Sequence, residues 1–314
     1  MTATRDHGGR LDTAVARHGG SISDWLDLST GINPVPYPLP PIPAAAWARL
    51  PDHGAIAALA DRARAFWQVP DGWDILAAPG ASALIARIPD LAAPGQVWIP
   101  GPTYNEHGAA FARAGWRECP APGGGADATV IVHPNNPDGR VTQHVARGSR
   151  LSVIDESFCD VAPGASHVGR MGIPGTIILK SFGKFWGLGG LRLGFAIGDP
   201  ALVDRLRHML GPWPVAGPAL AVGSAALADP GWASATRQRL QHDADRLDRL
   251  MTTAGARVTG GTTLFRLYTV DDAAAWQARL ARGRVWSRIF PYSDRWLRLG
   301  LPGPGDWAQL EAAI

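Results

Sequence analysis

Short apolar runs recur along this chain at 75–78, 97–99, 129–132, 151–154 and 177–179, and each leads directly into small, polar or charged residues. Runs of this length, bounded by turn residues and alternating with helical stretches, read as buried strands of a mainly parallel sheet flanked by helices. In an open α/β sheet, ligands bind just beyond the carboxyl ends of the strands. Polar groups repeated at that end therefore predict a site as well as a fold.

The first run is followed by Gly80, Ala81 and Ser82 and then by a helix start, a pattern that offers free amides to an anion. The second leads to Tyr104, which either packs in the core or stacks on a flat ring. The third ends near Asn136, whose position before a proline holds it extended with a side-chain amide that can donate. The fourth runs into Asp155, a carboxylate tolerable in a low-dielectric pocket only beside a cation such as a protonated ring nitrogen.

The fifth opens the segment 176–195, which holds both lysines of the chain, Lys180 and Lys184; every other side chain among the 30 basic ones is an arginine. A chain that scarcely uses lysine for surface charge points to chemistry that arginine cannot do, because only a neutral amine attacks a carbonyl. For Lys180 the competing reading is a strand-end lysine that reaches solvent. Lys184 has Ser181 three residues before it and Arg192 eight after it, among glycines at 183, 187, 189, 190 and 194.

The Ser-x-x-Lys-x7-Arg spacing resembles the Schiff-base segment of the aspartate-aminotransferase fold family (fold type I) of pyridoxal-phosphate enzymes. The resemblance covers nearly the whole chain. It implies pyridoxal 5'-phosphate as cofactor, attached through Lys184, with its phosphate held by Gly80, Ala81, Ser82, Ser181 and Arg192. It further implies Tyr104 against the ring, Asn136 at O3′ and Asp155 at the pyridine nitrogen.

Within that fold the chain looks most like the branch shared by histidinol-phosphate aminotransferase and threonine-phosphate decarboxylase. The opening His7-Gly8-Gly9, the segment Asp27–Pro34 and Asp155-Glu-Ser-Phe158 resemble the decarboxylase; aminotransferases usually carry tyrosine in place of Phe158. The activity implied is decarboxylation of L-threonine O-3-phosphate to (R)-1-amino-2-propanol O-2-phosphate in cobalamin biosynthesis. A histidinol-phosphate-type aminotransferase is the alternative, and a non-catalytic cofactor-binding regulator is a third reading from a different class. The resemblance also implies a homodimer, although the family's Arg-Tyr-Pro-Asp, whose tyrosine reaches the neighbouring subunit's cofactor, reads Arg49-Leu50-Pro51-Asp52 here. Gly183 stands where serine often precedes the lysine.

The rest of the chain supplies candidates for a small phosphorylated amino-acid substrate. His7 and Gly8, then Ser29, Thr30 and Gly31 after a strand at 25–28, form either capped turns or a substrate-side loop. Arg288 and Arg298 leave predicted strands at 285–290 and 296–299. Arg288 reads equally as solvated surface, whereas Arg298, flanked by Trp296, Leu297 and Leu299, reads as an inward anion ligand. Predicted helices cover 54–67, 105–114, 200–210, 216–228, 232–254 and 273–281, with a strand at 262–268. The organisation expected is an N-terminal arm (1–44) joining the small domain, a large domain (45–215) and a small C-terminal domain (216–314).

With 314 residues, 46% hydrophobic and 18% charged, the chain reads as globular. A net charge of +3, without a basic stripe, argues against nucleic acid. Cys119 and Cys159 lack metal or disulfide spacing, so no metal is expected. The absence of a long apolar run leads us to expect a cytoplasmic protein with no membrane contact.

Overall fold

A computed structural model describes residues 7–120, 125–143, 148–170 and 172–314. The strands in chain order are β1 (Leu26–Asp27), β2 (Asp74–Ala78), β3 (Gln96–Trp98), β4 (Arg117–Cys119), β5 (Ala128–Val132) and β6 (Leu151–Asp155). They continue with β7 (Thr176–Ser181), β8 (Gly194–Gly198), β9 (Arg257–Thr262), β10 (Phe265–Thr269), β11 (Val285–Trp286), β12 (Arg288–Phe290) and β13 (Ser293–Gly300). The helices are α1 (Leu11–His18), α2 (Ala44–Ala48), α3 (His53–Trp67), α4 (Ala81–Ile85) and α5 (Asn105–Arg113). Toward the C-terminus follow α6 (Pro200–Leu210), α7 (Gly217–Leu227), α8 (Pro230–Thr253), α9 (Ala273–Arg282) and α10 (Trp307–Ala313).

One compact unit comprises 37–136 and 140–233. Its seven-stranded sheet has the order β2-β8-β7-β6-β5-β3-β4, parallel except for β8, which runs antiparallel to both neighbours. Strands β5 and β6 are buried at every position, as strands covered on both faces must be. Ile177, Leu179, Val153, Leu151, Val130 and Phe111 belong to one apolar cluster of this unit. In register, Val132 pairs with Asp155 and Asp155 with Leu179, so β5 and β6 finish at the same level and β7 runs two residues further, to Ser181.

The other unit comprises 1–36, 137–139 and 234–314. A four-stranded antiparallel sheet, β12-β13-β10-β9, is joined by a two-stranded parallel pair of β1 with β11. The divisions fall at 36/37 and 233/234, whereas the sequence reading placed them at 44/45 and 215/216. The reason is that α2 and α7 pack in the sheet unit, where Gly217 lies so close to Ala46 that any side chain there would meet the Ala46 carbonyl.

Several elements differ from expectation. The single strand at 262–268 is a hairpin, because Thr262 turns the chain by accepting from the Leu264 amide through its hydroxyl. The strand at 285–290 breaks at Ser287 into β11 and β12, which join different sheets. Strands β4 and β8 and helix α10 had no expectation attached to them. Among the described residues, no helix is long and apolar enough to cross a membrane.

Candidate active site

In the sheet unit, Asp155 ends β6 and is 3% exposed. Both of its carboxylate oxygens have protein partners: His107 Nε2 lies 2.8 Å from Oδ2, while the Ser157 hydroxyl and amide donate to Oδ1 at 2.5 and 3.0 Å. Burial pushes this carboxyl upward, but the His107 hydrogen bond and charge and the two Ser157 donors outweigh it, leaving the pKa below its ordinary value. The expectation that only a neighbouring cation could make Asp155 tolerable is thus incomplete, because His107 and Ser157 already hydrogen-bond both of its oxygens. Sequence reasoning passed over His107, although it stands three residues after Tyr104 on the same helical face. The two rings meet edge to face at 6.1 Å.

Tyr104 caps α5 and packs against the apolar cluster while remaining half-buried. Its loop is tied to the turn carrying Asn136 through Asn135, which accepts from the Thr103 hydroxyl at 2.5 Å and donates to the Pro102 carbonyl at 3.0 Å.

Lys184 follows β7 in a tight turn whose Phe182, Phe185 and Trp186 are all fully buried. Its ammonium stands 5.3 Å from the centre of the Phe158 ring, which brings the lysine against the turn that begins at Asp155. Gly194 pairs with Ser181 on one side and Ala78 on the other, so Ser181 and the Gly80 loop converge at one end of the sheet. Gly80 has φ +85°, and a Cβ there would lie 2.5 Å from the Arg192 guanidinium. Arg192 itself is left-handed (φ 53°) and donates to the Gly189 carbonyl at 3.0 Å. A side chain on Gly194 would collide with the Ala81 amide. Gly80, Ala81, Ser181 and Arg192 therefore converge in one cradle, with Ser82 exposed beside it. The dipole of α4 contributes little there, because the helix is only five residues long.

Lys180 behaves differently from either expectation. It is 1% exposed and its ammonium lies 2.7 Å from Glu156 and 3.5 Å from Asp160. Those carboxylates hold it protonated, with a pKa above its ordinary value despite burial. It is neither a solvent-reaching lysine nor an available nucleophile.

In the second unit, the two N-terminal loops meet: the Gly9 amide donates to the Ser29 hydroxyl at 2.7 Å, and that hydroxyl donates to Asp27 at 2.6 Å. Gly8 abuts the Ser29 carbonyl, Thr30 abuts Gly300, and Gly31 is buried. Arg298 is 5% exposed and donates to the Ser29 carbonyl at 2.6 Å, the inward orientation that its apolar flanks suggested. Arg288 sits directly opposite Arg298 across β12 and β13. Burial, then the charge of Arg288, push the Arg298 pKa down to about 10. Two facing arginines repel unless an anion lies near them. His7, Gly8, Ser29 and Arg288 line a cavity of about 300 Å³ that Arg10 and Arg17 also border.

The family model for aminotransferase class I and II matches residues 120–314. A threonine-phosphate decarboxylase of Pseudomonas aeruginosa is 38% identical over 98% of this chain and 97% of its own length. One from a Sinorhizobium species is 38% identical over 96% and 94%. Histidinol-phosphate aminotransferase of Sinorhizobium meliloti, solved with pyridoxal-5'-phosphate, superposes with a TM-score of 0.77 at 16% identity, over 99% of this chain and 94% of that one. The residues present fit such a cofactor: a buried, ionised Asp155, a cradle that a Cβ at Gly80 would fill, and a lysine beside them. The chain belongs to the class I and II aminotransferase family of pyridoxal-phosphate enzymes, in the group of the threonine-phosphate decarboxylases.

Proposed function

We propose that this protein decarboxylates L-threonine O-3-phosphate to (R)-1-amino-2-propanol O-2-phosphate, a step of cobalamin biosynthesis, as a cytoplasmic homodimer. The observation that carries this reading is the 38% identity to two threonine-phosphate decarboxylases over almost the full length of both partners. When bound, the cofactor supplies an electron sink for the pair left behind as CO2 departs.

The protein's own groups divide the remaining work. Asp155, kept ionised by His107 and Ser157, accepts from the pyridine nitrogen and favours its protonated form. Asn136 would donate to the ring oxygen and Tyr104 would cover one ring face. Gly80, Ala81, Ser82, Ser181 and Arg192 would hold the phosphate. Lys184 would carry the cofactor and would deliver a proton to Cα after the carboxylate has left as CO2.

Phe158 stands where the related aminotransferases usually carry a tyrosine that donates to the ring oxygen, which would leave Asn136 as the main donor on that side. His7, Gly8, Ser29, Thr30, Gly31, Arg288 and Arg298 receive the substrate's phosphate and carboxylate, and a fixed carboxylate favours C–C over C–H cleavage. Incubation with threonine phosphate should release CO2 without keto acid. Keto-acid formation with an amino acceptor in excess of CO2 would mark a transaminase. A bound cofactor with no turnover of any amino acid would mark a regulator.

A further inference from the structure

Glu156 and Lys180 point away from the face that carries Asp155. Side chains alternate along a strand, and the Glu156 amide continues the ladder by donating to the Leu179 carbonyl at 2.9 Å. Asp155 and Ser181 thus share one face, while Glu156 and Lys180 share the other. On that far side every carboxylate oxygen of the cluster is engaged. Glu156 accepts from Lys180 at 2.7 Å, from the Ser166 hydroxyl at 2.6 Å and from the His167 amide at 2.5 Å. Asp160 accepts from Lys180 at 3.5 Å and from the indoles of Trp67 and Trp186 at 2.9 and 3.1 Å.

His133, Glu156 and Cys159 have the composition of a metal site, with their donor atoms all within 4.8 Å of one another. The Lys180 ammonium already neutralises the Glu156 carboxylate, so the cluster has its cation.

Replacing a buried ion pair by apolar residues of similar volume is often neutral or stabilising, so stability alone gives little reason to keep this one. Its geometry offers another. Lys180 is one residue from Ser181 and four from Lys184, and Trp186 is two beyond Lys184. The Trp186 ring stacks on Phe182 at 5.1 Å and on Trp232 at 5.3 Å, nearly parallel to both. The lysine turn is therefore gripped at both ends by groups that converge on Glu156 and Asp160, which flank the Asp155 turn.

We propose that Glu156, Lys180 and Asp160 are positioning residues that set where Lys184 stands relative to Asp155. This rests on the reading that those two residues hold the cofactor, not on which amino acid is the substrate. A misplacement of about 1 Å at a reacting group costs up to about a hundredfold in rate.

The test uses the cofactor-loaded enzyme and the variants Trp186→Phe, Asp160→Asn, Lys180→Arg and the combined Lys180→Met/Glu156→Gln/Asp160→Asn, which removes the three buried charges together. Three quantities are read: the melting temperature, the split of kcat against KM, and the circular dichroism of the lysine-bound cofactor band. Each variant that melts within a few degrees of the parent should lose roughly tenfold or more in kcat, with KM within about twofold, and show an altered dichroic band. Lys180→Arg, which keeps the cation, should lose least. Unchanged kcat and dichroism in the folded variants would overturn the proposal, as would borohydride labelling of Lys180 in place of Lys184. Should the parent show the dichroic band but release no CO2, the substrate assignment fails while the dichroism still decides the positioning role. A parent with no such band overturns both.

Discussion

Asp155 can favour a protonated ring nitrogen only as an anion, and its neighbours hold it there. Its folded pKa is below the ordinary carboxylate value because the His107 and Ser157 contacts outweigh burial. A depressed folded pKa means that the stabilisation is present above the unfolded value, near pH 4, and is lost as pH falls through the lower folded value. Comparing acid unfolding of the cofactor-free parent and Asp155→Asn should therefore show a stability gap at pH 6 that narrows below about pH 4. A gap independent of pH would mean that the charge plays no part. With cofactor bound, Asp155→Asn should lose roughly three orders of magnitude in rate, about 4 kcal/mol in barrier. At Lys184 the expected change is of kind as well as degree: Lys184→Ala should end turnover and leave nothing for borohydride to fix to the protein. Lys180, locked between two carboxylates, should not take its place.

The strands and helices that frame the site were largely legible. Asp52 caps α3 by accepting from the Ala55 amide, so the helix begins at His53, one residue before the expected start, and α6 spans the residues read for it. These elements carry local signals: caps, alanine-rich faces and apolar runs closed by turn residues. What sequence could not reveal was pairing. Strand β8, Gly-Phe-Ala-Ile-Gly, follows a glycine-rich stretch that masked it, yet its position between β2 and β7 is what brings the Gly80 loop to Ser181. Lys180 shows the same limit, for a buried partner on a neighbouring strand leaves no mark in the spacing. The closeness of the cradle leads to a further prediction. Gly80→Ala would impose a Cβ 2.5 Å from the Arg192 guanidinium at a φ of +85°. An alanine there costs on the order of 1 kcal/mol in backbone strain alone, and displacement of Arg192 adds to it. Equilibrium dialysis should show weaker binding of pyridoxal phosphate by tenfold or more, with a modest fall in melting temperature. An unchanged dissociation constant would separate Arg192 from the cofactor phosphate.

For the whole molecule, the apolar surface says more than the charge balance does. Among the described residues, Leu39, Trp47 and Leu50 are exposed by 63%, 70% and 67%, and all three fall within one short stretch ahead of α3. Beside it, Ala45, Ala46, Pro51, Leu220 and Ala221 line an open, mostly apolar cavity in the same unit. Single exposed apolar side chains are ordinary, but three together beside an apolar groove mark an interaction surface. Leu50 occupies the position where the family resemblance implies a tyrosine that crosses to the neighbouring subunit. The substitution removes a polar contact but keeps a side chain suited to burial. We therefore expect a two-fold dimer in which this stretch lies in the interface. Because a two-fold axis presents the same patch from both subunits, one substitution acts twice. Leu50→Glu should then cost roughly 3 kcal/mol or more, which raises the dimer dissociation constant about a hundredfold or more. Sedimentation across nanomolar to micromolar concentration would show the shift, with a parent dimer and a variant that dissociates at the lower end. A parent that sediments as a fully active monomer at micromolar concentration would rule out the dimer, and a variant indistinguishable from its parent would move the interface away from Leu50.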